Sequence, residues 1–417
     1  MKRLSLFLYF LFIAAGASTV VSEAAERTPE ILVLKDLLQE VADKNLEILA
    51  ARKQELAAEA RIPQARAWDD PQIGVTQWSI PSNFNLGKAD ETWYTLSQTF
   101  PFLGKRTLRG NVTALEQTMA NEDSREVTLR VIREAKQAYY DLFFARKALE
   151  IHHAQVDLAR RFSQITQERF SIGAVGQQDV LRAQMELLHL SNDVEALEQE
   201  RETSEARLNT LLNRPTDAPL GAPQAPAVPT TDLRLETLQR EAEESRPENR
   251  MQILAIRRSE ESIKLARRDL FPDVTAEVAY WDVHDGPNRW MASIKISLPW
   301  INKKKYDARI HEGEAERARA QAARQTAINQ TAFRVKALLV RIETSKRLAK
   351  LYETGILPLA EQSLEAATIG YQAKRNDFLT LIDAQKNLKE LELTYFRTLT
   401  EIEKSLAELD ELTGKTF

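Results

Sequence analysis

The chain contains no cysteine. That excludes disulfides, thiolate chemistry and cysteine-ligated zinc, although it does not by itself name a compartment. Glycine and proline are scarce, 13 and 15 among 417 residues, while charged side chains make up 28%. This balance favours long helices over an all-β or α/β enzyme. The net charge is only −4, so no basic field argues for nucleic acid. Beyond the first residues no stretch approaches 18 apolar residues in a row. A helical span is therefore not expected, and a bilayer would be crossed only by a closed β-barrel. No phosphate loop, nucleophile elbow or catalytic triad is present, so an enzyme reading has no residues to stand on and no cofactor is expected.

What is there begins at the N-terminus. Lys2 and Arg3 precede the apolar run Leu4 to Ala17, and small residues follow around Ser22, Ala24 and Ala25. That order predicts a secretory signal peptide over 1–25. An uncleaved anchor fits less well, because the run is short for a span and polar residues follow at once.

The chain compared with itself reveals a repeat. At a shift of 201 residues, Phe170, Gly173, Asp179, Ala183 and Gln184 lie over Tyr371, Lys374, Thr380, Ala384 and Gln385. The same shift sets Asp70-Pro71 over Phe271-Pro272 and Leu211 over Leu412. At a shift of 198, Phe100-Pro101-Phe102 lies over Leu298-Pro299-Trp300. Two units are expected, 26–212 and 232–417, joined by a linker over 213–231 in which five prolines sit among Ala, Gly and Thr. Each unit opens with a helix of about 35 residues (roughly Thr28 to Trp68, and Asp232 to Leu270), then a β-hairpin (72–100 and 273–298), then a long helical hairpin. Neither Gly nor Pro occurs between Asn111 and Ile172, enough for a helix about 90 Å long. Leu388, Leu391, Tyr395, Leu399, Ile402, Leu406 and Leu409 keep coiled-coil spacing, which an ordinary antiparallel bundle would also produce.

The strands decide the class. Val274, Ala276, Val278 and Tyr280 alternate with Thr275, Glu277 and Ala279, and Trp290 to Leu298 alternates likewise. Tyr94, Leu96 and Phe100 alternate with Thr95, Ser97 and Thr99, while Gln72 to Ile80 is noisier. Runs of this length with one apolar and one polar side suit tilted barrel strands. Trp78, Trp93, Tyr94, Tyr280, Trp281, Trp290 and Trp300 lie near strand ends, as an interfacial girdle does. Two amphipathic hairpins packed on helices would alternate in the same way. Four strands cannot enclose water, and open edges in lipid are costly. Three chains of four would close twelve strands, provided the strands lie in a membrane. The tips, Pro81 to Glu91 and Asp282 to Arg289, read as exposed loops. Lys105-Arg106 and Lys303-Lys304-Lys305 beyond the other strand ends fit headgroup contact or simple solvation equally well.

Taken with these units, the run Leu96 to Phe100-Pro101-Phe102-Leu103-Gly104-Lys105-Arg106, its echo ending in Leu298-Pro299-Trp300, and the two helix breaks ending in Ala-Gln resemble the TolC-like outer-membrane efflux family. The Phe-Pro-Phe-Leu-Gly-Lys-Arg wording resembles its heavy-metal efflux branch. The resemblance implies a mainly α protomer with a small β part, assembled as a homotrimer with a transmembrane barrel of 12 strands continued by a periplasmic α-barrel of 12 helices. It also implies an exit duct in outer-membrane lipid, docked to a periplasmic adaptor and an inner-membrane pump. Relatives often carry a lipid-anchored cysteine near the mature N-terminus, and this chain has none.

The breaks at Ile172 to Asp179 and Ala373 to Thr380 predict helix-turn-helix tips, with Gly173 and Gly176 permitting the turn and Asp179 and Thr380 capping the returning helices. By resemblance the tips, Gly173, Val175, Gly176, Lys374, Arg375 and Asn376, meet the adaptor. Lys374 departs from the family's usual glycine. Asp383 and Asp179 are the candidate entrance residues, Asp383 matching a position where three copies would form an acidic ring. A solvated helix acid would look the same. Glu150 with His153 and Glu186 with His189 have the spacing of di-iron bundles, but the turn near Gly173 leaves the two histidines about 10 Å apart along the bundle, so no metal site is expected. A periplasmic coiled-coil scaffold remains the alternative from another class. It explains the helices but not the aromatic hairpins.

Overall fold

The computed structural model describes residues 31–80, 82, 84, 86, 89–226 and 233–415. The expected signal segment, the end of the linker and part of the first tip loop lie outside the described residues. The chain is mainly helical, with one four-stranded sheet and one two-stranded pairing among the described residues.

Its spine is α3, Lys105–Ser171, whose 67 residues span about 100 Å at 1.5 Å per residue. A short turn leads to α4, Gln177–Leu211. In the second half α7, Lys303–Leu351, runs through a π-helical turn, Tyr352–Ile356, into α8, Leu357–Gln372. The widened turn precedes Pro358, which has no N–H to continue the ladder and whose ring needs room against the turn before it. The returning helix is α9, Phe378–Thr413. It packs between α3 and α7, and along its stripe Leu388, Leu399, Ile402 and Leu409 are buried while Leu391, Tyr395 and Leu406 are half-buried.

The opening helix of each half is broken in two, contrary to the single helix of about 35 residues expected. The pieces are α1, Leu34–Lys44, and α2, Leu46–Arg66, then α5, Leu235–Ser245, and α6, Pro247–Arg268. The first break is made by Asn45. Its Oδ1 accepts from the Glu47 and Ile48 amides at 2.9 and 3.3 Å, while its Nδ2 donates to the Leu211 carbonyl at 2.9 Å. One side chain thus caps the start of α2 and the end of α4, setting the two end to end. The second break follows from Pro247 at the first helical position, which forces Arg246 to an extended conformation (φ −66°, ψ 123°).

Around the middle of α3 these pieces form a belt. Ile31–Leu32 (β1) and Ala222–Pro223 (β4) pair in parallel, and Tyr139 Oη ties them, donating to the Leu32 carbonyl at 2.9 Å and accepting from the Gln224 amide at 2.7 Å. Leu37, Leu38, Val41, Ile48, Val131, Ile132, Leu208 and Leu212 make the apolar cluster under one side of the belt. Leu238, Val335, Leu338, Ile342 and Leu412 make the other. Ion pairs join α3 to α9 here: Arg133 with Glu411 and Lys136 with Asp410, each at 2.7 Å, and Lys404 with Asp141.

The sheet has the order β2-β3-β5-β6, every neighbour antiparallel: Gln72–Trp78, Glu91–Phe100, Val274–Val283 and Arg289–Ile296. Val75, Tyr94, Tyr280 and Trp290 form one cross-strand row, and Ile73, Leu96, Val278 and Ala292 the next. This apolar face is open: Ile73 is 84% exposed, Trp290 74% and Ile294 74%. The opposite face carries Gln72, Ser97, Glu277 and Ser293, with Thr99, Thr275 and Lys295 below them.

The aromatic residues divide between the faces, which corrects the single girdle expected. Tyr94, Tyr280 and Trp290 belong to the apolar face, whereas the register sets Trp78, Trp93 and Trp281 on the polar face. Nearness to strand ends reads the same for both sets, and only the parity of the pairing separates them.

Where sheet meets helices, Lys105 is 3% exposed. Its Nζ donates to the Phe271 carbonyl at 2.9 Å and to Asp273 Oδ1 at 2.8 Å, and Asp273 Oδ1 also accepts the Phe102 amide at 2.7 Å. Phe102 and Phe271 stack beside it with centroids 4.7 Å apart. One lysine of the first half thus locks the second half's strand to the start of α3. Lys105→Ala should cost about 3 kcal/mol, the lower end for a broken buried pair because Asp273 is partly exposed. Urea unfolding in detergent checks this, and a loss below about 1 kcal/mol would contradict the lock.

A second prediction comes from the belt. Burial pushes the Glu403 carboxyl above its ordinary value of 4.5, outweighing the hydrogen bond from Tyr140 that lowers it. A raised folded-state value means the contribution to stability is complete below the unfolded value and is lost as pH rises through the folded one. Glu403→Gln should therefore gain on the wild type as pH rises above 4.5. Parallel unfolding curves for the two proteins across that interval would contradict it.

Candidate functional site

The ends of the helical hairpins farthest from the sheet hold most of the predicted site residues. In the first tip Gly173 takes φ 69°, and the Ala174 amide donates back to the Arg169 carbonyl at 2.8 Å. In the second tip Lys374 takes φ 60°, and the Arg375 amide donates to the Gly370 carbonyl at 2.8 Å. The turns are the same motif one repeat apart, and Lys374 holds the left-handed position that glycine fills in the first. The turn forms with lysine in place of the family's usual glycine, under strain.

The caps differ from expectation. Helix α4 begins at Gln177 with Gly176 extended before it, and Asp179 stands in the first turn without a side-chain capping bond. Helix α9 is capped by Asp377, not Thr380: Asp377 Oδ1 accepts from the Thr380 amide at 2.9 Å and its hydroxyl at 2.6 Å. Those donors hold the Asp377 carboxyl below the usual carboxylate range, with Arg182 of α4 adding to the effect. Spacing alone misplaced the cap by one turn, because Thr380 donates to the cap instead of being it.

Sequence reading missed what welds the tips. Arg169 Nη1 and Nη2 donate to the Tyr371 and Gln372 carbonyls, both at 2.7 Å, with the guanidinium 4.7 Å from the Tyr371 ring centroid. Phe378, 1% exposed, packs with Phe162, Ala183, Ala367, Tyr371, Leu381 and Ile382. The aromatic pair Phe170 and Tyr371, matched by the repeat, was the available signal. Around this plug Gly173, Gly176, Lys374, Arg375, Asn376 and Asp383 are exposed, and Val175 and Asp179 half-buried.

His152 is buried, with Nδ1 at 2.9 Å from the Ala148 carbonyl, while His153 and His189 are exposed. Glu186 is paired with Lys386 at 2.7 Å. Among the described residues no group of three His, Asp or Glu side chains converges on a point where a metal would sit.

A mainly helical chain with an open apolar four-strand sheet at one end and welded helical tips at the other has known counterparts. The sequence model of the outer membrane efflux protein family matches it twice, over residues 37–214 and 238–415. The chain belongs to that family. Its location is the outer membrane and its work is efflux. The cobalt-zinc-cadmium resistance protein CzcC of Cupriavidus metallidurans is 21% identical over 389 residues, covering 92% of this chain and 90% of that protein. A membrane protein from Pseudomonas aeruginosa superposes with a TM-score of 0.79 at 18% identity, covering 92% of this chain and 90% of that one. CusC, whose structures concern transmembrane channel formation, superposes at 0.77 with 17% identity and covers 92% of each chain.

Lys374→Gly should relieve about 1 kcal/mol of strain at this left-handed position. Amide exchange at the second tip should then slow about fivefold where it proceeds by local opening. Unchanged exchange there would mean that the turn holds no strain.

Proposed function

We propose that three copies of this efflux-family protein form the exit duct of a tripartite system. The observation that carries this is the sheet: an exposed apolar face with unpaired edges at β2 and β6. Ten residues of strand at about 3.3 Å each, tilted about 40°, stand about 25 Å high, the height of a barrel's apolar band. In each copy α2 with α4, α3, α6 with α9, and α7 with α8 make four helical staves, so three copies supply twelve strands and twelve staves. The exposed Leu181, Met185 and Leu188 on α4 and Phe333, Val340 and Leu359 on α7 and α8 suit contacts between copies.

The repeat suggests how the edges meet. Within one copy β3 pairs with β5, Phe100 opposite Val274. Carrying that pairing over by the repeat shifts of 198 and 201 sets β6 of one copy against β2 of the next with Ile296 opposite Val75. The apolar faces of the two strands then meet on the lipid side, and Ser293 faces Trp78 on the other.

On this reading the tips at Gly173, Val175, Gly176, Lys374, Arg375 and Asn376 dock a periplasmic adaptor, which links the duct to an inner-membrane pump. Asp383, exposed just past Thr380, lines the entrance with Asp179 nearby. The cargo we assign is metal cations or small toxic compounds, on the strength of the CzcC likeness. The apolar face weighs against a periplasmic scaffold, which would leave it in water.

The test is the mass of the detergent-extracted mature protein together with single-channel conductance. A trimer with cation-preferring conductance that changes on Asp383→Ala supports duct and acidic entrance. A trimer indifferent to that change keeps the duct and discards the ring, and a water-soluble monomer without conductance overturns the proposal.

A further inference from the structure

The polar face of the sheet carries an aromatic group that export through a polar lumen does not require. Trp93 and Trp281, paired across β3 and β5, stack with ring centroids 4.4 Å apart and planes 3° from parallel. Trp78 lies on the other side of Trp93, 5.4 Å away and tilted 36°. Three indoles on three successive strands therefore form one stack at the end of the sheet remote from the helices. Trp93 lies between the other two, whereas Trp78, on the edge strand β2, is 53% exposed.

A carboxylate belongs to the stack. Glu91 is the register partner of Trp78, and its Oε2 accepts the Trp93 indole N–H at 2.9 Å. That bond fixes the carboxylate beside the rings and leaves Oε1 without a bonded partner among the described residues. On the same face Arg289 stands opposite Trp281, at the far side of the stack from Trp78, and Lys295 is already paired with Glu277 at 2.7 Å. An open indole face next to a fixed anion is the chemistry that holds a weakly hydrated organic cation: the ring quadrupole attracts the charge and the carboxylate balances it. Lys and small metal ions, more strongly hydrated, gain less from such a surface.

We propose that Trp78, Trp93, Trp281 and Glu91 form a binding subsite for organic ammonium cations at the outer mouth of the duct. The proposal rests on the trimeric barrel reading, which turns this face inward. Twelve strands spaced about 4.8 Å and tilted about 40° enclose a backbone diameter of about 24 Å, so three indole stacks narrow the lumen at this level. Across the junction between copies Trp78 meets Ser293, a side chain too small to cover its open face. Each mouth then offers three equivalent subsites.

The experiment is single-channel recording in planar bilayers with tetrabutylammonium added to the side of the strand tips. The wild type should show concentration-dependent block. Trp78→Leu, which keeps bulk without a ring, should weaken that block about tenfold, a difference within reach of a desolvated cation–π contact. Trp78→Phe should retain most of it, and Glu91→Gln should weaken it by a smaller factor. Trp78 is half-exposed, so these variants should fold, and an unchanged mass of the detergent-extracted protein checks this. Block absent from the wild type, or equal in Trp78→Leu, overturns the subsite while leaving the duct standing. A wild type that conducts no ions at all overturns the duct itself, and the subsite with it.

Discussion

Backbone groups cannot be left unpaired in lipid, and that constraint governs this molecule. Each chain brings four strands whose apolar face is open and whose two edges, β2 and β6, have no partner. Among the described residues no strand pairs with either edge. The proposed ring of copies, edge to edge, satisfies both edges without new elements. The helices inherit that geometry. Asn45 sets α2 on the end of α4, so the helical wall can continue past the point where a single helix stops. The buried Lys105 contact ties the sheet to the start of α3, the joint that the proposed barrel and helical tube would share.

Charge is distributed along this frame in three ways. Where sheet meets helices a lysine is almost wholly buried and bonded to a carbonyl and a carboxylate, which makes the joint expensive to break. At the belt, ion pairs between α3 and α9 are half-buried and numerous, fixing the rotation of the helices about their axes. At the tips the charges, Lys374, Arg375, Asp377 and Asp383, are exposed, while the apolar plug around Phe378 keeps the two turns together. A rigid body with a polar, solvent-facing end is what docking to another protein requires, and the strain at Lys374 is confined to that end.

Much of this was legible in the sequence because it depends on periodicity. Alternation from Val274 to Tyr280 gives a strand with two unlike faces, and the Gly- and Pro-free stretch from Asn111 gives the long rod. The repeat shift located both tips. What could not be read depends on single side-chain bonds or on pairing. Asn45 looks like any polar helix residue until its amide reaches Leu211, a contact 166 residues away in sequence. Asp377 and Thr380 are both good capping types, and only geometry decides which accepts. The tryptophans divide between the faces by the parity of the β2–β3 and β3–β5 register, which strand-end position does not encode. Arg169 bridges two turns from different repeats, and no local pattern announces it.

The most direct measurement is disulfide crosslinking in native outer membranes, made clean by the absence of cysteine from the chain. Val75 on β2 and Ile296 on β6 stand on opposite edges of one copy's sheet. In a double variant, Val75→Cys with Ile296→Cys, oxidation should yield a covalent trimer on denaturing gels, whereas Val75→Cys with Ala292→Cys, about 13 Å out of register, should not. Monomers alone under both pairings would contradict the closure of edges between copies on which the account stands.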